Sequence, residues 1–202
     1  MKKLLKSVAA LSLSAMMLLS PGVLAEEDEE ESNVVELTTV VQEYEGKQIV
    51  LKTAGLDILE QDGYKFKDMN KNGQLDPYED WRLDADTRTA DLVGQMTVRE
   101  KIAQMQHPTY LPRADGKIPS YLNKWCNKEG IGMLLIRELN SVEAAAVSMN
   151  TIQEYAEGSR LGVPVLVSMD SVHGLSYVSG ATVTGHNLAL AATRDEDLVT
   201  RL

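Results

Sequence analysis

Two stretches carry side chains whose types and spacing could do chemistry. The first is Asp68-Met69-Asn70-Lys71-Asn72-Gly73-Gln74-Leu75-Asp76-Pro77-Tyr78-Glu79. Oxygen-bearing side chains fall at its first, third, fifth, ninth and twelfth places, with Gly at the sixth. That is the pattern of an EF-hand calcium loop. Calcium takes six to eight hard oxygen ligands, so alternate side chains must turn inward around it. Asp68, Asn70, Asn72, Asp76 and Glu79 would supply side-chain oxygens, Gln74 its backbone carbonyl, and Gly73 the sharp turn. The competing reading is a polar turn that binds nothing. The second stretch, residues 163–194, opens with the apolar Val163, Val165, Leu166 and Val167. Asp170 and His173 follow, in a segment rich in Gly and Ser. A buried strand that delivers an acid into the loop after it is how parallel α/β folds present chemistry. Asp170 could instead cap the turn that follows it.

Elements must hold these residues in place. Residues 34–53 alternate apolar and polar around Glu45-Gly46-Lys47, which predicts a hairpin or extended arm. Residues 63–67, ahead of the calcium loop, lack the pattern of an incoming helix, and only one such loop is present. A structural staple fits this better than a paired sensor. Leu92, Val93 and Met96 share one face of a helix over residues 89–96. Thr97-Val98-Arg99-Glu100 is a capping box that opens another, with Ile102, Ala103 and Met105 expected inward. His107 follows, as a structural or exposed residue. Residues 108–130 are broken by Pro112, Asp115-Gly116 and Pro119, with a short helix over 120–127. Residues 131–136 read as a buried strand. Ser141 caps a helix over Val142–Glu157 that ends at Gly158. Strand, helix and strand with short links predict a right-handed βαβ unit with parallel strands. Asp195-Glu196-Asp197 starts a last helix, and the sequence stops two turns into it, which reads as an incomplete domain.

The ends and the charge bound the function. A basic start, an apolar run and Ser20-Pro21-Gly22-Val23-Leu24-Ala25 read as a secretory signal peptide cut after Ala25. The alternative, a membrane anchor, meets a run broken by Ser and Pro and shorter than the roughly 20 residues a span needs. The expected location is secreted or extracytoplasmic, with no membrane association once the signal is removed. The 202 residues carry 20 basic and 30 acidic side chains, net −10. The signal holds three Lys and no acid, so the remainder is at −13. This balance argues against a nucleic-acid binder, which needs Lys and Arg against phosphates. It suits a neutral ligand or a metal cation. Glu26-Glu27-Asp28-Glu29-Glu30-Glu31 is a solvated leader. Cys126 is the one cysteine, so stability must come from a core and not from disulfides.

The residues also carry a resemblance. Leu161-Gly162-Val163-Pro164-Val165-Leu166 with Asp170-Ser171-Val172-His173-Gly174 resembles the signature of glycoside hydrolase family 3. Gly180-Ala181-Thr182-Val183, His186-Asn187 and Ala192-Thr193-Arg194-Asp195 continue it, and residues 91–102 are similar to that family's opening helix pair. One departure is Thr184-Gly185, where the family commonly has Phe-Pro before His186-Asn187. The resemblance implies a retaining exo-β-glycosidase such as a β-glucosidase, acting on oligosaccharides or β-glycosides. It implies an α/β fold, the N-terminal part of a (β/α)8 TIM-like barrel. Asp170 matches the aspartate that holds hydroxyls of the terminal sugar, with His173 and His186 as supporting residues or filling of the pocket. The resemblance places the nucleophile and the acid/base in later segments, so the 202 residues are expected to be inactive alone. Spacing brings neither Asp115 nor Glu138 to Asp170 as a partner.

The organisation expected is a signal over residues 1–25, an acidic leader over 26–33 and an arm over 34–62. A calcium-loop segment over 63–88 and the incomplete barrel over 89–202 follow. The rival reading is a calcium-dependent, carbohydrate-associated binding or docking module without catalysis. It is weakened because such modules use these loops in pairs.

Overall fold

In the computed structural model, which describes residues 35–112 and 118–202, the arm is two successive antiparallel hairpins. β1 (Thr38–Tyr44) pairs with β2 (Lys47–Thr53), and β3 (Ile58–Gln61) with β4 (Tyr64–Lys67). Both turns are two residues long with positive φ at each, Glu45-Gly46 and Asp62-Gly63. That geometry matches the twist of the flanking strands. The second hairpin, and no incoming helix, leads into residue 68. The Gln42 amide joins the hairpins by donating to the Lys65 carbonyl (2.8 Å) and accepting from its N–H (2.9 Å). Beneath them Phe66 is fully buried and stacks on Trp81, with Tyr44 and Tyr64 edge-on to the indole. The signal and leader, residues 1–33, and the Asp115-Gly116 break lie outside the described residues.

After the loop at residues 68–79, α1 (Ala85–Gln95) starts at Asp84 and α2 (Val98–Gln104) at Thr97. The capping box forms as expected: Thr97 Oγ1 accepts from Glu100 N, and Glu100 accepts from Thr97 N. The inward face of α2 needs correction. Ala103 is buried, whereas Ile102 is 51% and Met105 77% exposed. The helix meets the sheet through its last turn, where Gly132 N donates to the Ala103 carbonyl. Gly132 has no room for a Cβ against Gln104. That end-on contact leaves the apolar side of α2 uncovered by the described residues.

The mixed α/β part is a three-stranded parallel sheet in the order β5-β6-β7, with β5 at Thr109–Tyr110, β6 at Met133–Ile136 and β7 at Leu166–Ser168. α3 (Ser120–Asn123) precedes β6 and runs into a wide helical turn, Lys124–Glu129. Gly130, at φ 68°, ends that turn in the left-handed region that suits glycine. α4 (Val142–Glu157) crosses between β6 and β7, its first turn capped by Ser141. The expected parallel βαβ unit is therefore present, with shorter strands than the apolar runs suggest. Leu134, Ile136, Ile152, Leu122 and Ala156 are fully buried where α3 and α4 cover the sheet. Each large aliphatic there contributes about 1.5–3 kcal/mol of burial free energy. Cys126 lies in the same core, and burial pushes its thiol up to about 11, an inert state. α5 (Asn187–Thr193) and α6 (Glu196–Arg201) follow the loop after β7, with Asp195 capping α6 as expected. No helix among the described residues is long and apolar enough to cross a membrane.

Candidate functional site

β6 and β7 run parallel in the register Met133–Leu166, Leu134–Val167 and Leu135–Ser168. Two steps further, beyond the carboxyl ends of both strands, the same offset sets Arg137 beside Asp170. Their side chains meet there: Arg137 Nη2 donates to Asp170 Oδ2 at 3.0 Å. Both side chains are roughly half exposed, at 42% and 46%, so the pair opens to solvent. The ion pair sets a cation, not a second carboxylate, against Asp170. Glu138 is exposed, in a left-handed backbone conformation (φ 60°) next to Arg137.

The loop after β7 returns beside this pair. Gly174 has φ 67°, and a Cβ there would meet the Thr182 carbonyl at 2.9 Å, so this tight return needs glycine. Thr184 N donates to the His173 carbonyl (2.9 Å) and Asn187 N to the Val172 carbonyl (3.1 Å). The departure at Thr184-Gly185 thus still closes the loop, through backbone bonds. His173 and His186 come together edge to face, with ring centres 4.9 Å apart. His186 Nδ1 accepts from Leu188 N at the start of α5, which leaves Nε2 as the protonated nitrogen of the neutral ring. The loop docks on the turn after β6, with Leu139 N donating to the Tyr177 carbonyl and Ser179 N to the Leu139 carbonyl. This brings the Tyr177 ring under the Arg137 guanidinium, 6.0 Å from ring centre to Cζ. His107 reaches across to Ser168, with Nε2 2.7 Å from Oγ. Asp170, His173 and His186, all expected from sequence, share one loop region. Arg137, Tyr177 and the His107–Ser168 contact were missed. The one usable signal was that Arg137 directly follows a strand, as Asp170 nearly does.

The loop at residues 68–79 is a separate feature. Asp68, 3% exposed, accepts from Asn72 N (3.1 Å) and Gly73 N (2.8 Å). Glu79, 4% exposed, reaches back to accept from Met69 N, Asn70 N and Asp76 N. The Asn70 and Asn72 amides donate to the same Asp76 oxygen, at 2.6 and 2.7 Å. Gln74 N donates to Asn72 Oδ1. Burial raises the Glu79 carboxyl above its ordinary value despite those backbone donors, with the Asp76 charge adding to the effect. Among the described residues, no group of three or more His, Cys, Asp or Glu side chains is gathered as a metal site. The donor chemistry nonetheless fits calcium: three carboxylates, two amide oxygens that a side-chain turn would present, and backbone carbonyls. The loop also contacts the rest of the fold. Tyr78 Oη donates to the Leu161 carbonyl (3.1 Å), and Lys71 Nζ donates to the Glu157 and Ser159 carbonyls (2.6 and 2.7 Å). A Cβ on Gly162 would sit 2.5 Å from the Met69 carbonyl oxygen. The loop therefore abuts the segment that leads from α4 into β7 and Asp170.

The model of the glycosyl hydrolase family 3 N-terminal domain matches residues 97–202, which hold α2, the parallel sheet, Asp170 and its loop. The chain belongs to glycosyl hydrolase family 3. This family 3 chain is 35% identical over 171 residues to a periplasmic beta-glucosidase/beta-xylosidase of Dickeya chrysanthemi, covering 77% of the chain and 26% of that protein. It is 32% identical over 124 residues to a lysosomal beta glucosidase of Dictyostelium discoideum, covering 54% and 15%. A third relative, named "Probable beta-glucosidase C", from Aspergillus oryzae, is 29% identical over 154 residues, covering 68% and 23%. The chain spans about a quarter or less of the length of these relatives.

Proposed function

We propose that this chain forms one wall of the sugar pocket of a secreted, retaining exo-β-glycosidase that removes terminal sugars from β-glycosides. Asp170 at the carboxyl end of β7, inside the segment matched to the family, is the observation that carries the reading. A carboxylate can accept hydrogen bonds from two hydroxyls of a neutral sugar and strengthen them as the ring distorts toward the transition state. The loop that carries His173 and His186 shapes the pocket beside it. Retaining hydrolysis needs a nucleophile and an acid/base about 5–5.5 Å apart. Asp170 faces Arg137 and not a second carboxylate, which supports a binding role for it. The parallel strands are the opening of a (β/α)8 barrel, and residues 1–25 direct export. The periplasmic naming of the Dickeya relative supports that location.

Calcium in the loop at residues 68–79 is a structural part of the same reading. Asp68, Asn70, Asn72, Asp76, Glu79 and the Gln74 carbonyl would hold it. It would neutralise buried carboxylates and fix the segment that enters β7. Calorimetric titration with calcium, together with a β-glucoside and β-xyloside hydrolysis assay on the complete gene product, tests the whole reading. Hydrolysis that depends on Asp170 supports it. Calcium binding without hydrolysis in that product favours the docking module.

A further inference from the structure

We propose, resting on that reading of Asp170, that Arg137 is a positioning residue for the sugar site: it fixes the orientation in which Asp170 meets the substrate's hydroxyls. Three observations converge. The parallel register sets Arg137 beside Asp170 at the carboxyl ends of neighbouring strands, so the contact follows from the sheet and not from a chance surface encounter. A single nitrogen, Nη2, holds Oδ2, and the carboxylate stays half exposed, able to accept from a ligand while Arg137 remains bound. The guanidinium is itself backed by the Tyr177 ring, on the loop docked against the turn after β6. Its Nε is buried and has no hydrogen-bond partner among the described residues. A buried donor left unsatisfied is costly, and the Asp170 contact and the ring must offset that cost to keep the side chain in place. Lysine would keep the charge but lose the planar fork. A freely rotating carboxylate would grip the same hydroxyls less well in the distorted ring, and small misplacements are expensive in catalysis.

The test compares wild type, Arg137→Met and Arg137→Lys of the complete gene product on 4-nitrophenyl β-glucoside, its three monodeoxy analogues at C3, C4 and C6, and 4-nitrophenyl β-xyloside. Circular dichroism melting and glucose calorimetry accompany the kinetics. R137M is expected to lower kcat/KM about 10–100-fold with both kcat and KM affected. The deoxy analogue that costs wild type most should cost R137M far less, because the missing hydroxyl is one Asp170 no longer holds well. R137K should recover part of the loss. An R137M enzyme within twofold of wild type, with the same ranking of deoxy analogues, overturns the inference and leaves the Asp170 reading intact. Should R137M melt early, R137K decides, and full wild-type kinetics in R137K overturn the inference. A wild type that hydrolyses none of these glycosides and binds no glucose overturns both readings.

Discussion

On the proposed reading Asp170 acts as a single side chain just past the end of β7, so replacing it should cost binding of the reacting sugar and little else. Asp170→Ala is expected to leave melting within about 1 kcal/mol of wild type, since the side chain is half exposed. Leu134 is the contrast. It is fully buried between β5 and β7, and Leu134→Ala should destabilise by about 2–5 kcal/mol in denaturant unfolding without altering sugar specificity. Glu100 offers a titration. The Arg160 guanidinium binds its carboxylate at 2.6 and 2.8 Å and, with the Thr97 cap, holds its pKa down to about 2. A depressed carboxylate stabilises the fold fully above its ordinary value of 4.5 and loses that contribution as pH falls toward 2. The stability gap between wild type and Arg160→Ala should therefore shrink between pH 5 and pH 3, as read by denaturant titration. Local rules made Thr97, Glu100, Ser141 and Asp195 legible, because a cap depends on residues within one turn. Arg137 was not legible, since a lone arginine after an apolar run has no spacing that marks it. Its role depends on register with a strand 33 positions away, as the Arg137–Asp170 contact shows.

At the level of elements, the loop at residues 68–79 and the entry to β7 act together. Glu79 carries a raised pKa, so the calcium-free fold binds a proton more tightly than the unfolded chain. Without calcium, stability should rise as pH falls through that raised pKa toward 4.5. Calcium favours the ionised form, and should flatten or reverse the trend. Melting in chelator and in calcium between pH 7 and pH 5 checks the sign. Calcium at a hundred times its Kd should add about 2.7 kcal/mol at neutral pH. Gly162→Ala tests the contact between loop and strand. The new methyl would meet the Met69 carbonyl from a backbone at φ 58°, and a loss of about 1–3 kcal/mol is expected. Sequence marked the loop by the oxygen spacing that a calcium site would require, and indicated β1 and β2 through their period and α4 through its Ser141 cap and Gly158 stop. It missed β3 and β4, although Asp62-Gly63 is a turn signal, because the paired runs are only four residues each. It also misjudged Ile102 and Met105. Periodicity finds an apolar face but not whether a neighbour covers it.

At the scale of the molecule, β5 and β7 are sheet edges among the described residues, and apolar side chains stand open on several elements. Met105, Leu188, Val98, Leu166 and Val183 are all more than 60% exposed. Unpaired edges and apolar faces of this kind favour association. The 202 residues expressed by themselves should self-associate in sedimentation velocity and show no glycosidase activity. The arm, by contrast, is well tied to the domain. Glu157 accepts from Thr53 Oγ1, Ala54 N and Lys67 Nζ at the end of α4, so hairpins and sheet should unfold together. The family assignment, the parallel unit and the proposed sugar-holding role of Asp170 stand together, and a kinetic comparison tests them most directly. The kcat/KM for 4-nitrophenyl β-glucoside and β-xyloside is measured with the complete gene product, wild type against Asp170→Ala. Wild type is expected to hydrolyse them and the variant to lose about 100-fold or more, with melting unchanged. Equal rates in the two proteins, or a folded wild type that cleaves neither glycoside, would contradict this reading.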